Sequence, residues 1–197
     1  MTITKYLEAL GSHLPPELIV EGGLIAEQAH YINQLLLQLP EITKICEVGF
    51  NAGHSAAAFL GARDNTQVLS FDLGEHNYVQ LAKRVIDLVF PRRHVLVLGD
   101  STFTIPLLRD FIGVPEGSVD LIYVDGGHIA PVPELDLRNL LFYLHKGGLV
   151  MLDDYCEAHG SDGVLAAWDS AVSAGKVELI DGPHQVRDRG WLLGRKL

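Results

Sequence analysis

Acidic residues recur at or directly after the ends of apolar runs in this sequence. They are Glu47, Asp72, Asp100, Asp125, Asp153 and Asp154. Any one of them could be a helix cap or a turn residue. If the runs are parallel strands, however, their carboxyl ends lie at one edge of a sheet, where ligands bind in open α/β folds. The recurrence therefore indicates a site in which several carboxylates bind polar groups or a cation.

The stretch from Lys44 to Ser55 has the form of a nucleotide-binding turn. An apolar run with β-branched residues leads into Gly49, Asn51 and Gly53, and a segment of small residues follows as a helix start. Glycine allows a sharp turn and close approach of a ligand, and the helix start offers backbone N–H groups. The pattern lacks the G-x-G-x-x-G of nicotinamide sites. Asp72 ends the next run, and an acid about 20 residues beyond such a turn can bind ribose hydroxyls.

Strand and helix patterns alternate along most of the chain, which predicts a parallel sheet covered by helices on both faces. The closing pair of strands has no helix between its members and predicts an antiparallel hairpin at the sheet edge. We therefore expect one doubly wound, Rossmann-like α/β domain spanning 1–197. The predicted strands are 43–48, 67–72, 94–98, 119–124, 149–152, 177–180 and 190–194, and the predicted helices are 2–13, 24–39, 54–61, 76–89, 102–112, 134–145 and 161–173.

Bulk composition excludes several classes of protein. With 197 residues, 48% hydrophobic and 20% charged, the chain is long and apolar enough for one sizeable core. A formal net charge of −10 argues against a nucleic-acid partner. No apolar run is long enough to cross a membrane, and no signal peptide is evident, so we expect a cytoplasmic protein. Two cysteines make neither a disulfide framework nor a metal knuckle.

Five motifs taken together resemble those of class I S-adenosylmethionine-dependent methyltransferases. They are Glu47–Ser55, Asp72, Gly99–Ser101, Asp125–His128 and Lys146–Asp154. The closest resemblance is to the branch with catechol-type and macrolide-sugar O-methyltransferases, many of which need a divalent metal. It extends over roughly residues 20 to 195, and that family has a seven-stranded sheet with an antiparallel final hairpin.

This resemblance implies roles for the cofactor-binding residues. The turn with Gly49, Asn51 and Gly53 is expected to hold the methionine part of S-adenosylmethionine, with Ser55 near its carboxylate. Glu47 is expected to order that turn or to meet the amino group. Asp72 is expected to bind the ribose and Asp125 to contact the cofactor as well as a metal. Asp100 and Ser101 are expected at the adenine.

The resemblance also implies a metal site and a base. Asp125, Asp153 and Asp154 match metal-ligand positions, and His128 stands where relatives place the general base. Asp154 replaces the asparagine of the commoner catechol-type pair. Mg²⁺ suits oxygen ligands and would lower the pKa of an acceptor hydroxyl, while histidine can take a proton near neutral pH.

Three functions remain open at this point. The first is methyl transfer to a hydroxyl of a small molecule, and the second is an NAD(P)-dependent oxidoreductase. The third is a non-catalytic relative that binds S-adenosylmethionine. The helices within 1–40 are expected to form a lid or a homodimer contact.

Overall fold

Strands and helices alternate in the order that the sequence predicts. The computed structural model describes residues 3–13, 20, 23–156 and 161–197. The elements in these ranges are α1 (Ile3–His13), α2 (Ala26–Gln38), β1 (Lys44–Val48), α3 (His54–Ala62), β2 (Gln67–Asp72), α4 (Val79–Val89), β3 (His94–Leu98), α5 (Ser101–Leu107) with a π-helical turn (Leu108–Ile112), β4 (Val119–Val124), α6 (Val132–Tyr143), β5 (Leu144–Asp153), α7 (Asp162–Ser173), β6 (Val177–Val186) and β7 (Arg189–Lys196).

The strands of the described ranges form one sheet in the order β3-β2-β1-β4-β5-β7-β6. Strands β1 to β5 are parallel, whereas β7 lies antiparallel to both β5 and β6. The strand order reverses direction between β1 and β4, and this is the switch point at which open α/β sheets bind ligands. The predicted fold class, including the antiparallel C-terminal hairpin, is confirmed.

Two strands, β5 and β6, differ most from the sequence prediction. Residues 144 and 145, predicted as the end of a helix, and the following residues 146–148 lie inside β5, which begins at Leu144. Residues 181–189, which lie between the last two predicted strands, are mostly strand, since β6 continues to Val186. Its ladder with β7 contains register shifts on both sides of Asp181. These irregularities accommodate glycine and proline in an edge strand, which is why the segment has the composition of a loop.

Side chains of the central strands alternate between two apolar clusters. Ile45, Leu121 and Met151 pack in the cluster that also holds residues of α1 to α4. Cys46, Ile122 and Val150 pack in the cluster with residues of α5 to α7. Because the side-chain period of a strand is two, Glu47, Tyr123 and Asp153 lie on the first face. The sheet therefore directs these three polar groups toward the N-terminal helices.

No helix in the described ranges has the length and apolar character needed to cross a membrane.

Gly49 brings the ends of β1 and β4 together. Its φ is +96°, and a Cβ added there would lie 1.8 Å from the carbonyl oxygen of Asp125. A hydrogen bond joins the same strand ends, since Asp125 N donates to Val48 O at 3.0 Å, and Gly49 N donates to Phe71 O of β2 at 2.9 Å on the other side of β1. Only glycine combines this backbone conformation with so close an approach.

We expect Gly49→Ala to lower the free energy of unfolding by roughly 3–5 kcal/mol, because it adds overpacking to an unfavourable φ. Gly147→Ala is the matched control, since Gly147 has φ +81° but nothing within 4 Å of an added Cβ. We expect this change to cost only about 1–2 kcal/mol. Urea titration measures both values, and equal losses would contradict a packing role for Gly49.

Candidate active site

The turn after β1 is held in an unusual backbone conformation from two directions. Asn51 has φ +50° and Gly53 has φ +71°, in addition to the positive φ of Gly49. Asp72, at the end of β2, accepts a hydrogen bond from the Asn51 N–H at 2.7 Å. From α1, the Tyr6 hydroxyl donates to the carbonyl oxygen of Ala52. The turn thus owes its shape to residues far from it in sequence.

A cavity of about 390 Å³ opens at the carboxyl ends of β1, β2, β3 and β4. Six of the predicted site residues line it: Gly49, Asn51, Asp72, Asp100, Ser101 and Asp125. A smaller recess of about 20 Å³ adjoins it and is lined in part by His54, Ser55 and Asp125. The sequence therefore predicted the polar part of the wall that these six residues form, while other wall residues, among them Leu73, His76 and Val132, were not predicted.

Asp72 and Asp100 also shape the backbone around this cavity. Asp72 Oδ1 accepts from Gly74 N at 2.7 Å, and Asp100 Oδ1 accepts from Thr102 N at 2.9 Å as the N-cap of α5. A carboxylate oxygen has two lone pairs, so a turn contact leaves capacity for a ligand hydroxyl or amino group. A structural role and a binding role are therefore compatible at both positions.

Glu47 lies beneath the turn in a chain of buried polar side chains. Its carboxylate accepts hydrogen bonds from Ser55 Oγ at 2.8 Å and from Ser70 Oγ at 2.5 Å, and Ser70 contacts His94 Nε2 at 2.7 Å. Burial raises the pKa of Glu47 to about 7 and lowers the pKa of His94 to about 3. Glu47 is fully buried. The hydrogen bond between Glu47 and Ser55 thus stabilises the turn from its buried side.

Asp125, His128 and Asp154 form the one group of possible metal ligands found in the described part of the chain. One ligand atom from each lies within 4.8 Å of the others. His128 Nε2 is 2.7 Å from Asp154 Oδ2, and Arg189 Nη1 is 3.7 Å from Asp154 Oδ1. The structure therefore brings together two of the three aspartates predicted as metal ligands and adds His128 to them.

Asp153, the third predicted metal ligand, is held in other contacts. Its Oδ1 accepts from Gln28 Nε2 at 2.5 Å and from Asp154 N at 2.9 Å. Its Oδ2 accepts from the Tyr123 hydroxyl. Asp153 is only 4% exposed, so these bonds satisfy a carboxylate that lies next to the Asp125 group without belonging to it.

Burial, followed by the charges of neighbouring groups, sets the pKa values of these acids. Burial, and then the charges of Asp153 and Asp154, raise the pKa of Asp125 well above its usual range. Burial raises the pKa of Asp153 to about 6. Burial works in the same direction on Asp154, but the hydrogen bond and charge of His128 outweigh it and lower that pKa. The hydrogen bond to Asp154 in turn raises the pKa of His128. The pair is therefore ionised more readily than its neighbours.

The sequence did not indicate four residues that contact the predicted site residues: Gln28, Tyr123, His94 and Arg189. Gln28 was visible only as a polar member of an otherwise apolar helical stripe, and Tyr123 as one residue of an apolar strand. His94 stands at a strand start and Arg189 in the final hairpin, and neither position has a pattern that indicates a site.

We expect Glu47→Gln to change the pH dependence of stability. The folded pKa of Glu47, about 7, exceeds its ordinary value of 4.5. Its contribution is therefore fully present below about pH 4.5 and is lost as the pH rises through 7. Relative to wild type, the variant should gain about 3 kcal/mol of unfolding free energy between pH 4.5 and 7.5.

Urea titrations at several pH values measure this difference, with the exposed Glu116→Gln as the control for the same chemical change. A difference in unfolding free energy between Glu47→Gln and wild type that does not change with pH would contradict a raised pKa for the buried Glu47 carboxyl group.

Comparisons with known proteins agree with this fold. A family model described as a methyltransferase domain matches residues 46–155. A search of curated proteins found no match. Among solved structures, an O-methyltransferase from Bacillus cereus in complex with S-adenosylhomocysteine (SAH) is 13% identical with a TM-score of 0.73, covering 98% of this chain and 90% of that chain.

Two further structures give similar values. The SAH-bound methyltransferase PaMTH1 from Podospora anserina is 16% identical with a TM-score of 0.72, covering 99% of this chain and 87% of that one. The O-methyltransferase TomG from Streptomyces achromogenes, in complex with S-adenosylmethionine, is 18% identical with a TM-score of 0.69, covering 98% and 88%. Likeness at these identities concerns the fold, whereas the family model matches more than half of the sequence. The chain belongs to the methyltransferase-domain family and has the fold of class I S-adenosylmethionine-dependent methyltransferases.

Proposed function

We propose that this protein transfers the methyl group of S-adenosylmethionine to a hydroxyl of a small molecule, with the help of a divalent cation. The observation that carries the proposal is the position of Asp125. It lines the large cavity, the small recess and the group with His128 and Asp154. A cofactor in the cavity would thus have its reactive end beside titratable groups suited to activate a hydroxyl.

The cavity wall offers partners for each part of the cofactor. Asp72 would accept hydrogen bonds from the ribose hydroxyls, and Asp100 and Ser101 would contact the adenine. Backbone N–H groups of the turn and of the start of α3 would bind the methionine carboxylate, with His54 and Ser55 at the recess. Because Ser55 Oγ donates to Glu47, we assign the backbone of Ser55, not its hydroxyl, to the ligand.

The acidic group fits a divalent cation on chemical grounds. Asp125 and Asp154 supply oxygen ligands. The pKa of Asp125 is raised by burial and then by the charges of Asp153 and Asp154, and a cation would relieve this repulsion. Asp153 is the third ligand by family resemblance, while His128, which is grouped with Asp125 and Asp154, is assigned here to proton transfer. Mg²⁺ is our first candidate, since carboxylates are its preferred ligands. A bound cation would lower the pKa of an acceptor hydroxyl and fix its direction.

His128 is placed to remove the acceptor proton. With the proton of the neutral ring on Nε2, His128 donates to Asp154, and its Nδ1 carries the lone pair that takes a proton. The side chain is 41% exposed, so an acceptor has access to it. Asp154 would orient the imidazole and stabilise its charged form, as the carboxylate of a catalytic triad does.

The acceptor class rests on chemistry and on the descriptions of similar structures. Methyl transfer from a sulfonium is an in-line displacement, so the protein mainly aligns the donor and a deprotonated oxygen. The B. cereus protein and TomG are both described as O-methyltransferases, which supports a hydroxyl acceptor. A small molecule agrees with an acidic group that Gln28 of α2 and Arg189 of the final hairpin border through Asp153 and Asp154.

Calorimetric titration with SAH tests the donor assignment. We expect SAH to bind the wild type and Asp72→Asn to raise its Kd at least tenfold, because the amide is a weaker acceptor for two ribose hydroxyls. Glu75→Gln removes a charge from the same cavity wall and should change the Kd less than threefold. Binding of NAD without SAH would contradict the proposal and favour the oxidoreductase.

Turnover with a catechol probe, followed as SAH release, tests the acceptor side. We expect His128→Gln to lower kcat roughly a hundredfold, the usual contribution of a general base, while the Kd of SAH stays within twofold. Chelation should lower wild-type turnover, and Mg²⁺ should restore it. An unchanged kcat in His128→Gln would contradict the base role, and SAH binding without turnover of any hydroxylated probe would favour a non-catalytic relative.

A further inference from the structure

Helix α1 makes direct contact with the turn that lines the cavity. Tyr6 is fully buried, and its hydroxyl donates to the carbonyl oxygen of Ala52. The same hydroxyl would lie 2.8 Å from a Cβ added at Gly53. Leu10, one turn further along α1, is 3% exposed and packs in the same apolar cluster. The buried face of α1 therefore ends on the turn itself.

The carbonyl that Tyr6 contacts lies just outside the hydrogen-bond series of α3. That series begins with the carbonyl of Gly53, which accepts from Ala57 N at 2.9 Å. Ala52 is fully buried, and a buried carbonyl that loses its donor is destabilising. Without Tyr6, the turn would relieve this loss by moving its carbonyl toward water.

Such a movement would reach the cavity, because the same short turn forms part of its wall. Gly49 and Asn51 line both the cavity and the recess, and they lie within three residues of Ala52. Asn51 holds a positive φ, a conformation that a residue with a side chain adopts only under constraint. Asp72 fixes Asn51 from the β2 side, and Tyr6 fixes Ala52 from the α1 side.

We infer that α1 is part of the cofactor site and that Tyr6 is its positioning residue, holding the turn in the shape that binds S-adenosylmethionine. The inference rests on the proposed function for the identity of the ligand. Coupling between two sites is reciprocal, so a cofactor that favours the fixed turn also favours the docked state of α1. Cofactor binding and α1 docking therefore strengthen each other.

Tyr6→Phe removes only the hydroxyl and keeps the packed ring. We expect it to raise the Kd of SAH, and the KM for S-adenosylmethionine, about tenfold, while kcat at saturating cofactor stays within twofold. Tyr143→Phe is the matched control, since the buried Tyr143 hydroxyl also donates to a backbone carbonyl, that of Ile105, at 2.7 Å. Neither Tyr143 nor Ile105 lines the two cavities described above, so the Kd of SAH for Tyr143→Phe should differ less than twofold from that of the wild type.

Equal Kd values for wild type and Tyr6→Phe, or equal increases in both variants, would overturn the inference. Absence of SAH binding to the wild type would instead contradict the proposed function. Should Tyr6→Phe not fold, amide hydrogen exchange of the wild type decides: slower exchange in residues 3–13 with SAH supports the coupling, and unchanged exchange overturns it.

Discussion

The close approach of Gly49 to the carbonyl of Asp125 is the constraint on which the rest of the site depends. It joins the two strands between which the sheet order reverses, β1 and β4, at their carboxyl ends. On one side of this contact lies the turn that lines the cavity, and on the other lies Asp125 with its acidic neighbours. A side chain at position 49 would separate the two halves. The proposed donor site and acceptor site are therefore adjacent because one residue has no Cβ.

The acids gathered at this edge are stabilised in different ways. Glu47 accepts hydrogen bonds from two serine hydroxyls. Asp153 accepts hydrogen bonds from Gln28 and Tyr123. The charge of Asp154 is balanced by His128 and Arg189. Asp125 has a weaker arrangement, with a contact of 3.4 Å from the Tyr123 hydroxyl and a pKa raised well above the usual range. The negative charge at this edge is therefore least compensated at Asp125, the residue that the cavity and the acidic group share. A cationic sulfonium or a divalent cation near Asp125 would balance this charge.

Sequence patterns predicted the sheet and the acidic part of the cavity wall because both follow from local rules. Strand ends can be located from apolar runs, and parallel strands bring Asp72, Asp100 and Asp125 to one edge whatever the tertiary details. The partners of each acid depend instead on side chains distant in sequence. Asp153 lies 125 residues from Gln28 along the chain, and no local pattern records that pair. For the same reason the sequence did not predict the grouping of His128 with Asp125 and Asp154. The extension of β6 was missed because bulges allow glycine and proline in an edge strand.

The N-terminal helices α1 and α2 contact residues of the site that the sheet alone does not hold in place. Helix α1 reaches the turn through Tyr6, across 46 residues of sequence, and α2 reaches the end of β5 through Gln28. Each of these bonds joins a helix to a loop or to a strand end. The sheet fixes the position of that loop or strand end but does not fix its shape. Sequence changes in the two helices can therefore alter cofactor affinity or the orientation of Asp153 while leaving the packing of the central strands intact. Loss of either bond leaves a buried polar group without its partner, which is a local penalty of about 1–3 kcal/mol within an intact fold. Helices α1 and α2 thus act on the site through these two contacts, Tyr6 with Ala52 and Gln28 with Asp153.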